Sequence, residues 1–137
     1  MTSSYNAIVE HLRRSFRSGK TKSLASRLSS LDSLRSLITE NVDALCLAVQ
    51  QDLRRSHYET FSYELQQILN EIDGAKSSLS AWMKPKKVKR TLVQINDGAE
   101  IAQDPLGTVL IIGPWNYPLI LILQPLAGAL AAGDGFT

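Results

Sequence analysis

The chain has 137 residues, of which 44% are hydrophobic and 20% are charged, and its net charge is +2. This composition is typical of a globular protein rather than a disordered one, and the small net charge gives no support for nucleic-acid binding. The single cysteine, Cys46, excludes an internal disulfide and favours a reducing compartment. Because the N-terminus also lacks the pattern of a signal peptide, a cytoplasmic location is expected.

Apolar residues at three- and four-residue spacing predict helices over the first part of the chain. The first helix is predicted over residues 4–18 and ends at Gly19. The second pattern, over residues 23–53, is too long for one rod and contains Asn41 near its middle. We therefore predict two consecutive helices that break around residues 39–42.

Ser56 and Glu59 have the spacing of a capping box, in which each side chain accepts a hydrogen bond from the other residue's backbone N–H. The helix that begins there is predicted to end near Trp82. Cys46 lies between two leucines on a helical pattern, so we interpret it as a small core residue and not as a nucleophile. Residues 1–82 are thus predicted to form an N-terminal helical part.

Residues 83–104 are predicted to contain a basic linker and a hairpin. Five of the seven residues from Lys84 to Arg90 are Lys or Arg, which suits an exposed loop or, alternatively, attraction of phosphate or an acidic surface. Residues 91–103 then change to a period of two, and Asn96-Asp97-Gly98 is a hairpin turn signal.

The last part, residues 105–137, begins with an apolar run that predicts a strand over 106–112, buried on both faces. A turn follows, and it holds Asn116 between two aromatic residues. Ligands of open α/β sheets bind at the carboxyl ends of strands, which makes Asn116 a candidate site residue. The alternative is that its amide only closes the turn. A helix is predicted from Pro118 to about Ala132.

The same part also permits a membrane interpretation. No charged residue lies between Asp104 and Asp134, and such a run is long enough to span a bilayer. Its four prolines favour a strand, a turn and a helix inside an α/β core instead. A small membrane-anchored helical protein remains the alternative.

Several motifs together resemble the aldehyde dehydrogenase superfamily, and within it the class 3 branch that acts on fatty and aromatic aldehydes. They are Pro105–Gly113, Trp115-Asn116-Tyr117-Pro118, Gln124–Leu126 and Ala131–Gly133. The resemblance implies an α/β fold made of N-terminal helices, a β-hairpin arm and the first β–α unit of a Rossmann-like cofactor domain, incomplete as it stands. It also implies a homodimer formed through the 91–103 arm.

For function, the resemblance implies NAD(P)-dependent oxidation of aldehydes to carboxylic acids. Asn116 corresponds to the family's oxyanion-stabilising asparagine, and Tyr117 would line the substrate channel. The residues that run along the nicotinamide side of NAD or NADP would be Ile112, Gly113, Pro114 and Trp115. For Trp115 and Tyr117 the alternative is plain core packing.

The family's catalytic cysteine, in a Gly-Gln-x-Cys setting, and its general-base glutamate are not found in this sequence. The match also ends after Gly133, so the chain is expected to be a fragment and to be inactive alone. It would come from a truncated gene model, a retained intron or a splice variant, and a non-catalytic isoform is the alternative.

Strand 106–112 is expected to lack a parallel partner, and the last helix is expected to leave apolar faces in water. His11 and His57 lie in no spacing that predicts a metal site.

Overall fold

The structure is a computed structural model that describes residues 2–88 and 98–136. Its helices are α1 (Thr2–Arg17), α2 (Leu24–Glu40), α3 (Val42–Leu53), α4 (His57–Thr60), α5 (Gln66–Trp82) and α6 (Ile120–Ala132). A π-helical turn, Phe61–Leu65, joins α4 to α5. The strands are β1 (Lys86–Lys87), β2 (Glu100–Ile101), β3 (Thr108–Val109) and β4 (Gly135–Phe136).

The predicted helices of the N-terminal part are confirmed. Gly19, with φ +76°, lies two residues beyond Arg17, the last residue of α1. Asn41 separates α2 from α3, and its side-chain amide donates a hydrogen bond of 2.7 Å to the oxygen of Leu37. This bond satisfies one of the free carbonyls at the end of α2, which explains why the helix stops there.

The predicted capping box at the start of α4 is also confirmed. The Ser56 hydroxyl accepts the Glu59 N–H at 3.2 Å, and the Glu59 carboxylate accepts the Ser56 N–H at 3.0 Å. Helical geometry then continues to Trp82 through the π-helical turn. The apolar spacing of the sequence did not predict this wider turn.

One hydrophobic core lies between α2, α3, α5 and α6. Its fully buried or nearly buried members are Leu31, Leu34, Ile38, Cys46, Leu65, Ile68, Leu69, Ile72, Ala75, Leu79, Ala127 and Ala131. Helix α6 packs on α5 and α2, and Ile120, Leu123, Leu126 and Leu130 contact this core. The expectation that α6 leaves apolar faces in water is therefore wrong for the face that packs on α5 and α2, but it is confirmed at Leu121 and Ile122, which are 38% and 39% exposed.

The first sheet is an antiparallel pair, in which Lys86 lies opposite Ile101 and Lys87 opposite Glu100. The Val88 N–H extends the ladder with a hydrogen bond of 3.1 Å to the oxygen of Ala99. The interpretation of 84–90 as a linker is thus wrong at 86–87, which form a strand. Within the predicted 91–103 hairpin, residues 91–97, with most of the turn signal, lie outside the described residues.

The second sheet is a parallel pair, with Thr108 opposite Gly135 and Val109 opposite Phe136. The chain therefore supplies a parallel partner for this strand, contrary to expectation. The Asp134 carboxylate fixes the pair by accepting the Gly107 N–H at 2.8 Å.

β3 is shorter than the predicted strand 106–112, and that segment is not buried on both faces. Leu106 is 90% exposed, Leu110 68% and Ile112 83%. The physical reason is that a strand is buried only when neighbours cover both its edges and faces. Among the described residues, β3 has one paired strand and is covered by α1.

Within the described ranges, none of the helices combines the length and the apolar character needed to cross a bilayer.

Candidate active site

The turn that follows β3 carries all six candidate residues, from Ile112 to Tyr117. Ile112 is 83% exposed, Trp115 66% and Tyr117 38%. Pro114 and Asn116 are exposed as well, and Gly113 is half-buried. Trp115 is consequently not a core residue of the described chain.

Gly113 lies against the first turn of α6. A Cβ atom at this position would lie 2.5 Å from Cγ1 of Ile122. The absence of a side chain therefore lets the turn approach the helix closely.

Asn116 is exposed. Within residues 2–88 and 98–136 no hydrogen bond reaches its side-chain amide, whereas its backbone oxygen accepts one from Arg55. No described residue therefore occupies the amide N–H groups.

Arg55 holds the backbone of this turn. Its guanidinium Nη2 donates a hydrogen bond of 2.7 Å to the backbone oxygen of Asn116. The guanidinium carbon lies 4.3 Å from the centre of the Tyr117 ring, which is a cation–π contact. Arg55 follows Arg54, whose φ of 57° ends α3 in the left-handed conformation and turns the chain.

Glu64 lies beneath the same turn and is fully buried. One carboxylate oxygen accepts Arg55 Nη1 at 2.5 Å. The other accepts the N–H of Leu119 at 2.8 Å and of Ile120 at 3.1 Å. A carboxylate is favourable there because the first N–H groups of α6 carry partial positive charge.

Neither Arg55 nor Glu64 belongs to a motif whose pattern predicts a functional role. Glu64 has Phe61, Leu65 and Ile68 as its neighbours at helical spacing, and these residues lie in or against the core. An acidic residue among core-facing positions indicates a buried, paired charge, and that is the signal that could have found it.

Cys46 is confirmed as a core residue. It is 1% exposed, and its Sγ lies 3.8 Å from the backbone oxygen of His57. Burial, followed by the nearby charges of Asp43 and Glu64, raises the pKa of its thiol. A thiol of this kind is a poor nucleophile because little of it ionises near neutral pH.

The decisive comparison is with protein families. A sequence profile of the aldehyde dehydrogenase family matches residues 2–135. The chain belongs to the aldehyde dehydrogenase family. This membership confirms the resemblance inferred from the motifs around Asn116.

Individual aldehyde dehydrogenases are similar to this chain over most of its length. Aldehyde dehydrogenase family 3 member A2 of Macaca fascicularis is 42% identical over 126 residues, which is 92% of this chain and 26% of that protein. The dimeric, NADP-preferring aldehyde dehydrogenase of Mus musculus is 38% identical over 132 residues, 96% of this chain and 29% of that protein. The chain thus spans about a quarter of the length of these curated relatives.

A solved structure, described as the substrate-bound state of Staphylococcus aureus AldH, superposes with a TM-score of 0.88. The two share 33% sequence identity, and the match covers 90% of this chain and 27% of that one. The α/β fold of this part of an aldehyde dehydrogenase is therefore confirmed.

Proposed function

We propose that this chain supplies the oxyanion donor and part of the nicotinamide side of an enzyme that oxidises aldehydes to carboxylic acids with NAD or NADP. The observation that carries the proposal is Asn116, which is exposed in the turn after a parallel strand and whose side-chain amide no described residue hydrogen-bonds. In this proposal residues 1–82 form the helical part, 83–104 the linker and hairpin, and 105–137 the start of the NAD(P)-binding domain.

Asn116 would act on the aldehyde oxygen. When a thiolate attacks the carbonyl carbon, a C–S bond forms and the carbonyl electron pair moves onto oxygen. The Asn116 N–H groups donate to that oxygen, and a neutral amide can do so without gaining or losing a proton. Removal of one such donor typically raises the barrier by about 2.7–4 kcal/mol.

The segment Ile112–Trp115 fits a dinucleotide in one respect. Ile112, Pro114 and Trp115 are exposed in the turn that follows a parallel strand, which is where open α/β sheets bind their ligands. When bound, NAD or NADP would accept the hydride from the substrate. Tyr117, which is 38% exposed beside Asn116, would line the substrate channel.

The chain alone is proposed to be inactive. Its one cysteine is buried and has a raised pKa, so Cys46 does not supply the thiolate. The nucleophile and general base would then come from the remainder of the family's fold. We further propose a cytoplasmic enzyme that pairs through the 91–103 arm. The name of the dimeric mouse relative supports the dimer alone.

The first test assays the purified 137-residue chain with NAD or NADP and a medium-chain aldehyde. We expect no formation of the reduced cofactor, which is followed by its absorbance. Turnover by the pure chain would contradict the inactivity of the chain alone.

The second test uses a chimera in which residues 2–135 replace the matched segment of the dimeric mouse relative. We expect Asn116→Ala to lower kcat by about 10²- to 10³-fold and to change the KM for the cofactor little. Asn70→Ala, which removes an exposed amide from α5, is the matched control and should leave kcat unchanged. An unchanged kcat in Asn116→Ala would overturn the proposed oxyanion role.

A further inference from the structure

We propose that Arg55 and Glu64 are positioning residues that hold the Asn116 turn in its catalytic geometry. The inference rests on the proposed function of Asn116. Neither residue would contact substrate or cofactor; both would act through Asn116.

Glu64 fixes the far side of the turn. It is fully buried, and its two oxygens accept from one guanidinium and two backbone N–H groups. A buried carboxylate is tolerated only when it is compensated in this way. Because Leu119 and Ile120 come directly after the turn, their bonds to Glu64 fix where α6 begins relative to Asn116.

Arg55 fixes Asn116 itself. The planar guanidinium reaches Glu64 through Nη1 and the Asn116 oxygen through Nη2, and it stacks on the Tyr117 ring. A lysine offers a single ammonium group, which cannot reproduce this fork and stack. Arg55 therefore links the buried anchor, Glu64, to the two residues that would meet the substrate.

The pattern of contacts separates the backbone of Asn116 from its side chain. Among the described residues, the backbone oxygen is hydrogen-bonded and the side-chain amide is not. A catalytic donor needs this arrangement, since its support must fix its position without occupying its N–H groups.

The local helix geometry agrees with a positioning role. Glu64 lies in the π-helical turn Phe61–Leu65, a geometry that occurs mostly as single turns and frequently at functional sites. The wider turn interrupts the regular spacing of core positions at the point where the carboxylate faces α6.

The test is a double-mutant cycle in the chimera described above. Arg55→Lys keeps a positive charge beside Glu64, whereas Arg55→Met would leave the buried carboxylate unpaired and endanger folding. We expect Arg55→Lys to lower kcat roughly tenfold, with the KM for aldehyde and cofactor within about twofold, because a small displacement of a catalytic donor slows the chemical step. In the Asn116→Ala background we expect the same substitution to lower kcat less than about twofold.

The matched control is Arg35→Lys, which alters an exposed ion pair with Asp73 on the surface of α2 and α5. It should leave kcat unchanged in both backgrounds.

Glu64→Gln, with Glu71→Gln as its control on the same helix, provides a second variant. Among the described residues, Glu71 accepts a single long hydrogen bond, 3.4 Å, from the Gln124 amide. Glu64→Gln should accelerate amide hydrogen exchange at Leu119 and Ile120, and its effect on kcat should likewise vanish without Asn116.

Two results would overturn the inference in distinguishable ways. An equal kcat loss from Arg55→Lys in both backgrounds would show that Arg55 does not act through Asn116, and the proposed function would survive. An unchanged kcat in Asn116→Ala would remove the proposed function and this inference together.

Discussion

The helical part and the turn after β3 obtain their order from different interactions. Among the described residues, the largest fully buried aliphatic side chains belong to α2, the π-helical turn and α5, and they are Leu31, Ile38, Leu65, Ile68, Ile72 and Leu79. Around β3, by contrast, Leu106, Leu110 and Ile112 are between 68% and 90% exposed. Apolar packing within the chain therefore stabilises the helices, whereas a few polar contacts from Arg55 and Glu64 hold the candidate site.

The largest difference in the free energy of unfolding is expected between alanine substitutions at two isoleucines, one in the helical part and one in the turn after β3. Ile72→Ala should reduce the free energy of unfolding by about 2–5 kcal/mol, because it leaves a cavity among fully buried side chains. Ile112→Ala should change it by less than about 0.5 kcal/mol, because the side chain is 83% exposed. Urea denaturation of the 137-residue chain measures both, and equal losses would contradict the comparison.

A smaller effect is expected at Gly133, where the helical part joins the second sheet. Its φ is +84°, and an added Cβ would lie 2.7 Å from Nε of Arg27 and 2.9 Å from the oxygen of Thr21. Backbone strain of this kind costs about 1–3 kcal/mol, so Gly133→Ala should lower the melting temperature.

Gly128→Ala is the matched control for Gly133→Ala. Gly128 lies inside α6 with no atom within 4 Å of an added Cβ. The substitution should therefore stabilise the chain by about 0.5–1 kcal/mol. If both alanines shifted the melting temperature in the same direction, the junction would not be strained as described.

The smallest effect concerns the capping box that starts α4. Ser56→Ala should cost about 1 kcal/mol, the usual loss for a serine cap. The hydrogen bonds from the Ser56 side chain and backbone lower the pKa of Glu59 from its ordinary value of 4.5. The stabilisation by the Glu59 carboxylate is therefore present above that value and is lost as the pH falls through the lowered pKa.

Thermal unfolding of the wild type and of Glu59→Gln across this pH range measures that contribution. The difference between them should be present at neutral pH and disappear in acid. A difference that did not depend on pH would mean that the charge of Glu59 contributes nothing.

Local signals in the sequence explain which parts of the fold could be predicted. The helix break at Asn41 and the capping box at Ser56 depend on residues a few positions apart, and both were predicted correctly. The pairing of β3 with β4 brings Gly107 next to Asp134, which lies 27 residues later in the chain. The residues around Gly107 and Asp134 carry no local pattern that predicts this contact. Local sequence patterns therefore did not predict the strand Gly135–Phe136.

The candidate site likewise contains residues that a local sequence motif indicates and residues that only the folded chain brings together. Ile112 to Tyr117 form one continuous motif, so the family resemblance could indicate all of them together. Arg55 and Glu64 precede Asn116 by more than fifty residues and reach this turn only through the folded chain. Sequence spacing alone could not connect them to Asn116.

The length of chain between these partners has a consequence for folding kinetics. The Arg55–Asn116 and Glu64–Leu119 contacts join residues 61 and 55 positions apart, so they close much longer loops than the turns of the helices do. We expect them to form late, after α4 and α5 pack, so that Arg55→Lys accelerates unfolding and leaves the refolding rate nearly unchanged in stopped-flow measurements. The candidate catalytic turn would then be the last segment to assemble and the first to separate.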